Sequence, residues 1–217
     1  MKKILLAVSL LSVLSVASLR GEDKIASLLS EMEKTDNAIK ALSFSFTQEI
    51  SYTLTGEKQN VAGEIVFSKP DSFNFKQSKP MIQTIVANKK KVWIYTPSYN
   101  QVVTDTWRRW ANNGVIPNSI TTFSSGWSEM KKKYIFSYGG EDAQFYILNL
   151  KPKKKEAFSW AITMWVDRKD FCPRKMLLVG ENIRISTVCE NYKINPALDL
   201  KMFNFVPPSG VDIIEMP

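Results

Sequence analysis

Histidine is absent from all 217 residues of the sequence. Because histidine is the usual general base near neutral pH and the commonest metal ligand, its absence excludes Ser-His-Asp triads, Cys-His pairs and His-ligated zinc. Two cysteines alone cannot complete a thiolate zinc site. The sequence also lacks a Gly-rich phosphate loop and a nucleophile elbow. We therefore predict no metal, no cofactor and no enzymatic activity.

Long apolar runs are also missing, except at the N-terminus. There a basic start precedes an apolar run over Ile4–Leu19, and we place a cleavage site between Ala17 and Gly21. The pattern predicts a cleaved signal peptide over residues 1–20 and an exported domain over residues 21–217. An uncleaved membrane anchor is the alternative. No cysteine lies directly after the apolar run, where a lipoprotein signal would have one, so we expect that the chain itself is not lipidated.

The net charge is +8, and runs of three lysines begin at Lys89, Lys131 and Lys153. A basic surface suits nucleic acid, anionic lipid or solubility alone. The runs fall at predicted turns and lack interleaved aromatic residues, so we interpret them as solubilising and expect no nucleic-acid partner. The carboxylates are scattered over loops and one helix face. A carboxylate-based envelope hydrolase is kept as the enzymatic alternative.

Hydrophobic periodicity predicts a mainly β protein with an N-terminal helix. An amphipathic stripe over residues 23–40 is typical of a helix. From Leu42 to Leu54 the apolar residues fall on even positions, as in a strand with one apolar face. About eleven such strands, joined by short polar turns, predict one domain with a single antiparallel sheet. The sheet is expected to be a barrel or strongly curved and open.

The two cysteines flank a predicted hairpin. A two-residue turn at Gly180-Glu181 has glycine first, which suits a type II′ turn. In that register Cys172 lies directly opposite Cys189. Because disulfides persist in exported proteins, we predict a cross-strand disulfide between them. A redox-active pair is the alternative, although the chain has no C-x-x-C motif.

Residues 107–133 interrupt the strand rhythm yet remain apolar. Ile116, Ile120, Phe123 and Trp127 recur at about helical spacing and predict short helical turns. Such a segment, with the N-terminal helix, would cover the concave face of the sheet, whereas a plain packed core is the alternative. A curved sheet with many aromatic residues and two apolar covers favours an internal apolar cavity.

Four blocks spread over the chain carry a family resemblance. They are SFSFTQ at Ser43–Gln48, GEIVFSKPDSFNF at Gly63–Phe75, VWIYTP at Val92–Pro97 with Gln101-Val102 following, and FNFVPPSGV at Phe203–Val211. In this order they resemble the LolA family, the periplasmic carriers of outer-membrane lipoproteins in Gram-negative bacteria. The resemblance implies an unclosed β-barrel whose helices form a lid over a hydrophobic cavity.

The resemblance also implies a function and partners. The cavity would take the acyl chains of a lipoprotein released by an inner-membrane ABC complex and pass them to an outer-membrane acceptor. The family's acceptor is itself a lipoprotein, which this chain is not expected to be. We expect a periplasmic monomer. A periplasmic sensor that binds a lipid or peptide with the same fold is the alternative function.

Residue assignments follow from both arguments. We predict that one cavity is lined by the apolar residues Phe44, Phe46, Ile65, Phe67, Phe73, Phe75, Trp93, Tyr95, Ile120 and Phe123. Of these, Phe73, Phe75, Trp93 and Tyr95 match positions of the family pattern. The family's lid-latching arginine before a proline is matched by Lys69. Lysine lacks the planar fork of arginine donors, so we predict a weaker latch or a solvated strand-end lysine.

Overall fold

The computed structural model describes residues 11–112, 127–154 and 159–216. These residues form the α-helices α1 Leu11–Ala38, α2 Trp107–Asn112 and α3 Trp127–Lys133, with 3₁₀ turns at Pro97–Tyr99 and Leu200–Phe203. Twelve strands make up the rest: β1 Ala41–Tyr52, β2 Lys58–Ser68, β3 Ser72–Lys79, β4 Gln83–Ala87, β5 Lys91–Thr96, β6 Gln101–Thr106, β7 Tyr134–Glu141, β8 Phe145–Pro152, β9 Ala161–Asp167, β10 Pro173–Val179, β11 Ile183–Ile194 and β12 Asp212–Glu215.

All twelve strands belong to one sheet in the order β12-β6-β5-β4-β3-β2-β1-β11-β10-β9-β8-β7. Two antiparallel meanders, β1 to β6 and β7 to β11, are joined by the pairing of β1 with β11. The sheet is curved and unclosed, as predicted. The prediction missed the short strand β12, which pairs in parallel with β6. The family-like fold of a mainly β chain with a helical cover is confirmed.

Alternation along β1 defines the two faces of the sheet. Leu42, Phe44 and Phe46 are buried on the concave inner face, and the serines between them lie on the outer face. Gln48 continues the inner face and donates from Nε2 to Thr187 Oγ1 at 2.9 Å, which satisfies a buried amide. The predicted alternation is therefore correct along β1.

Helix α1 packs its predicted apolar stripe on the inner face of the second meander. Leu28 and Met32 are buried there, with Ile25 and Leu29 packed against the same cluster. The helix is continuous from Leu11, so it includes the last part of the predicted signal peptide. No helix in the described part of the chain combines the length and the apolar character needed to cross a bilayer.

The C-terminal segment covers part of the outer face. Phe203 is buried, and Asn74 Nδ2 on β3 donates to the carbonyl of Met202 at 2.7 Å. Tyr95 on β5 packs against Phe205 with ring centroids 5.6 Å apart. The first meander is thus covered on its outer face by the chain's own end.

The predicted disulfide is wrong. Both cysteines are buried free thiols. The β10–β11 register pairs Val179 with Arg184 and Lys175 with Val188, so the turn is centred one residue later than predicted and Cys172 is out of line with Cys189. A shift of this kind keeps every side chain on its own face, so the apolar pattern could not reveal it. Gly180 serves close packing instead, since a Cβ there would lie 3.2 Å from the Trp160 ring.

Candidate functional site

The inner face of the first meander brings together six of the predicted cavity residues. Phe44, Phe46, Ile65, Phe73 and Phe75 are buried in one cluster, and the partly buried Phe67 packs against it. Strand register explains the grouping, because Phe44 pairs with Ile65, Ile65 with Phe75, and Phe67 with Phe73. One apolar side chain from each strand therefore lies beside the next on the same face.

Aromatic rings form much of this wall. The Phe75 ring stacks on both Phe46 and Phe73, with centroids 5.5 and 6.1 Å apart. Phe44 stacks on Tyr192 of β11 at 5.2 Å. Such stacked contacts contribute ~0.5–1.5 kcal/mol beyond the burial of area. The rings make a stiff apolar surface on this half of the sheet.

Trp93 and Tyr95 are not part of that wall. On β5 the inner-face residues are Val92 and Ile94, which belong to the aromatic cluster or pack against it. Trp93 and Tyr95 alternate with them and lie on the outer face, where Tyr95 meets Phe205. These two aromatic residues support the C-terminal segment. Ile120 and Phe123 lie outside the described residues.

The second half of the inner face differs in chemistry. It joins the apolar stripe of α1 to a cluster rich in methionine, with Met32, Met130, Met164 and Met176 all buried. Methionine is unbranched and flexible, so it fills irregular space and adapts when its neighbours change. Met32 belongs to the predicted helical stripe, whereas Met130, Met164 and Met176 were not predicted, because their scattered positions form a group with it only after the sheet has curved.

A cavity of about 50 Å³ lies where α1 ends over the sheet. Its walls include α1 residues, inner-face residues of both meanders and the start of α3: Met32, Thr35, Asp36, Ile39, Leu42, Phe67, Lys69, Trp127, Met164, Phe171, Cys172, Pro173, Met176 and Tyr192. Ligand sites commonly enclose about 300–1,000 Å³. The cavity formed by the described residues is therefore too small for an acyl chain, which fits there only if α1 or its neighbours move.

Lys69 lies at the polar end of this cavity and contacts the last turn of α1. Its Nζ donates to the Asp36 carbonyl oxygen at 2.5 Å and to Asp36 Oδ1 at 3.0 Å. The carbonyls of a last helical turn lack helical partners and carry partial negative charge, so a cation is favourable there. The position before Pro70 thus joins the sheet to the helix that covers it.

Asn195 holds the same end of the helix and was missed by the sequence analysis. Its Nδ2 donates to the Ala38 carbonyl at 3.1 Å, and its Oδ1 accepts from the backbone N–H groups of Lys40 and Ala41 at 2.7 and 3.1 Å. Asparagine tolerates the positive φ of 50° found here. The exit of α1 is therefore fixed by one amide, while Lys69 contacts the turn before it.

Farther along, α1 is tied to the edge strand β7. Lys24 Nζ donates to Glu141 Oε1 at 2.6 Å and to the Tyr138 hydroxyl at 3.2 Å. The hydrogen bond from Lys24 lowers the pKa of Glu141 and raises that of Lys24. Glu33 of the helix pairs with Lys131 of α3. These exposed pairs contribute little energy each but set the position of the helix on the sheet.

Arg174 places a charge within the apolar wall. Its guanidinium lies 4.0 Å from the Tyr192 ring centroid, pairs with Asp170 and approaches Asp167 at 3.9 Å. Its Nη1 is buried with no hydrogen-bond partner among the described residues. Burial raises the pKa of both neighbouring thiols, Cys172 and Cys189, to about 12. The thiols are therefore protonated and weakly reactive at neutral pH.

The geometry defines a class of protein: an open curved sheet whose apolar inner face is covered by a helix that one lysine and one asparagine fasten at its end. The family model described as the outer membrane lipoprotein carrier protein LolA matches residues 37–206. This match spans most of the chain, and the chain belongs to the LolA family.

Individual relatives agree with the family match. The outer-membrane lipoprotein carrier protein of Chromobacterium violaceum is 27% identical over 190 residues, which cover 87% of this chain and 88% of that protein. The carrier of the same name from Pseudomonas aeruginosa is 27% identical over 184 residues, 82% of this chain and 83% of its own. An uncharacterized conserved protein from Thermus thermophilus has a similar fold, with a TM-score of 0.57 at 12% identity, covering 89% of this chain and 99% of its own.

Proposed function

We propose that the chain is a periplasmic carrier that binds the acyl chains of lipoproteins against the inner face of its sheet. The supporting observation is the apolar wall of aromatic residues and methionines, which meets a cavity beneath a helix fastened by Lys69. Relatives that share about a quarter of their residues over most of the chain are named as outer-membrane lipoprotein carriers. A carrier of this kind needs no catalytic group.

The proposed signal peptide is compatible with this arrangement. Removal of residues 1–20 leaves Lys24, Leu28 and Met32, which hold α1 to the sheet. The part of α1 that covers the cavity therefore stays in an exported chain. Its delivery to the periplasm would place the carrier between the two membranes.

The closed cavity sets the energetics of loading. Three chains of sixteen carbons contain about 45 methylene and methyl groups, and at ~0.8 kcal/mol each their full transfer from water would release ~36 kcal/mol. This exceeds the practical ceiling of non-covalent affinity, ~18–21 kcal/mol. Chains already in a bilayer are in an apolar medium, so moving them to the protein is nearly neutral. The work of extraction would come from a partner, which we propose to be the inner-membrane ABC complex.

Release would then need an acceptor that offers the chains a slightly better environment. We propose an outer-membrane lipoprotein acceptor in that role. The methionines of the inner face suit such a cycle, because their flexible side chains fill the closed cavity and can repack around a chain.

Spheroplast release tests the proposed function. Spheroplasts that retain newly made lipoproteins are incubated with protein purified from periplasmic extract, and soluble lipoprotein is measured. We expect release by the wild type and by Val66→Glu, and loss of release by Phe67→Glu. Phe67 lines the cavity, whereas Val66 faces the other side of the same strand. Equal release by both variants, or none by the wild type, would contradict the proposal.

A further inference from the structure

The hairpin turns at the two ends of the strands differ in chemistry. One end, the Leu54 rim, is formed by the β1–β2, β3–β4 and β5–β6 turns, the β10–β11 turn, the end of β8 and the start of β7. The opposite end, the Lys69 rim, is formed by the β2–β3, β4–β5, β7–β8 and β9–β10 turns. The cavity with Lys69 and Asp36 lies toward the Lys69 rim.

Three successive hairpins of the Leu54 rim each expose a large apolar side chain at the tip. Leu54, Ile82 and Tyr99 are 79%, 61% and 68% exposed. Alternation predicted Leu54 on the apolar face, but β1 ends at Tyr52 and Leu54 lies in the turn beyond it. None of the four turns of the Lys69 rim, all within the described ranges, carries an exposed large apolar side chain.

The same rim collects lysines that are distant in sequence. The pairing of β7 with β8 brings Lys131–Lys133 beside Lys151, Lys153 and Lys154. Lys153 N donates to the Lys133 carbonyl, and Lys153 Nζ to the Lys131 carbonyl, both at 2.8 Å. Lys79 precedes the Ile82 tip, and Lys58 follows the Leu54 tip. In the sequence two of these runs are separate and are explained as solubilising lysines, whereas in the fold they form one basic surface.

The charge balance of the two rims also differs. Among the described residues, the eight lysines named above face five carboxylates at the Leu54 rim: Glu57 and Glu181 in the turns, Asp212 beside Asn100, and Glu33 and Glu49, which pair with Lys131 and Lys58. The turns of the Lys69 rim mix their lysines with acids: Asp71, Glu141, Asp142 and Asp170. A positive potential is therefore concentrated at the rim that also carries the apolar tips.

We propose that the Leu54 rim docks on an anionic phospholipid surface, with the three apolar tips inserted into the headgroup region and the lysines among the headgroups. Adjacent hairpins place their tips about 10 Å apart, two strand spacings, so the tips form separate points instead of one continuous patch. A protein interface needs a contiguous, complementary core, whereas a fluid lipid surface accepts separate apolar side chains. Each lysine near an anionic surface strengthens binding about fivefold.

This inference concerns a different surface from the proposed cargo site and does not depend on it. Binding at the Leu54 rim would direct the Lys69 end of the cavity away from the bilayer. Cargo binding and membrane docking would then be separable, so variants at the rim should leave the uptake of an acyl-chain fluorophore unchanged.

Vesicle flotation tests the inference with protein purified from periplasmic extract. The vesicles contain either phosphatidylcholine alone or phosphatidylcholine with about one third phosphatidylglycerol, at low and high salt. We expect flotation with the anionic vesicles at low salt, and at least tenfold weaker binding to the neutral ones or at high salt. Failure of the wild type to float with anionic vesicles would overturn the inference, as would binding that is indifferent to salt.

Matched variants separate the apolar from the basic contribution. The combined change Leu54→Ser, Ile82→Ser and Tyr99→Ser should weaken anionic-vesicle binding more than tenfold, whereas Leu200→Ser with Ile194→Ser, also exposed but away from this rim, should not. Equal loss in both sets would overturn the inference. So would a tip variant that keeps vesicle binding but loses a protein partner in crosslinking.

The lysines are tested in the same way. Replacing the rim residues Lys79, Lys151 and Lys154 by glutamine should weaken binding about a hundredfold, at about fivefold for each charge. Replacing Lys89, Lys90 and Lys169 by glutamine at the Lys69 rim removes the same charge and should change binding severalfold at most. If the two triple variants weaken binding equally, net charge alone is responsible and the inference fails.

Discussion

Replacement of Lys69 by methionine tests whether α1 is a latched lid. Methionine keeps the length and apolar stem of lysine but removes both hydrogen bonds to Asp36. The ammonium bonds one helix-end carbonyl and one carboxylate, and a hydrogen bond from a charged donor contributes ~1.5–3 kcal/mol. The Lys69 and Asp36 side chains are 34% and 29% exposed, so solvent screening reduces this to ~1–2 kcal/mol.

The loss of this free energy determines how much the fraction of molecules with an open lid increases. A loss of ~1–2 kcal/mol raises the open fraction roughly 5–30-fold. If the acyl-chain fluorophore enters only through the open state, its uptake in stopped flow should accelerate by the same factor. Lys69→Arg should slow uptake, because the planar guanidinium is pre-organised and loses less side-chain freedom for each hydrogen bond than the flexible lysine ammonium.

The control is an ion pair of similar length away from the helix. Lys58 Nζ lies 3.1 Å from Glu49 Oε1, with side chains 62% and 44% exposed. Lys58→Met should leave uptake unchanged, since such an exposed pair contributes little to stability and this one does not touch α1. If Lys69→Met and Lys58→Met take up the fluorophore at the wild-type rate, Lys69 is a solvated strand-end lysine and the latch is refuted.

Two further predictions concern the cavity wall. Trp127 lines the cavity, whereas Trp93 lies on the outer face. Trp127→Phe should therefore abolish most of the tryptophan fluorescence change on binding a long-chain acyl ligand, and Trp93→Phe should not. The reverse result would place the ligand elsewhere. Because burial raises the pKa of Cys172 and Cys189 to about 12, both thiols should resist Ellman's reagent at pH 8 until the protein unfolds. The free energy of unfolding should fall as pH rises from about 8.5 toward 12, because only the unfolded thiols ionise there. Prompt labelling of the native protein would contradict this, as would a double Cys→Ser variant that loses the same stability at alkaline pH.

The alternation of apolar residues along each strand was enough to predict the inner wall, but it did not predict every pairing between neighbouring strands. Phe44 and Phe46 could be assigned because burial on one face imposes a period of two along β1. The pairing register of β10 and β11 could not be predicted in this way, because a shift of two positions keeps Leu178 and Ile185 on the inner face. At this turn Gly180 lies close to the Trp160 ring, a contact between distant residues that the local pattern does not contain.

Family resemblance located Lys69 but misplaced Trp93 and Tyr95. A motif match shows that a position is occupied by a similar residue, not which face of the strand it occupies. The parity of β5 becomes clear only when Val92 and Ile94 are seen to join the inner cluster. Arg174 was missed for a different reason: nothing in its local sequence distinguishes it from a surface arginine before Tyr192 folds over it.

If α1 is a lid latched by Lys69, the free energy needed to open it limits how tightly the protein can hold its cargo. Unseating α1 exposes Leu28 and Met32, which at ~1.5–3 kcal/mol each costs roughly 3–6 kcal/mol. Acyl chains that occupy the vacated face recover part of this, so the net affinity is the difference between chain burial and helix undocking. A carrier with a permanently open cavity would spend no free energy on undocking a helix, and it would therefore bind its cargo too tightly for hand-over. Because Lys69 bonds α1 less firmly than an arginine would, the free energy of undocking the helix is slightly lower. Loading of cargo is therefore easier.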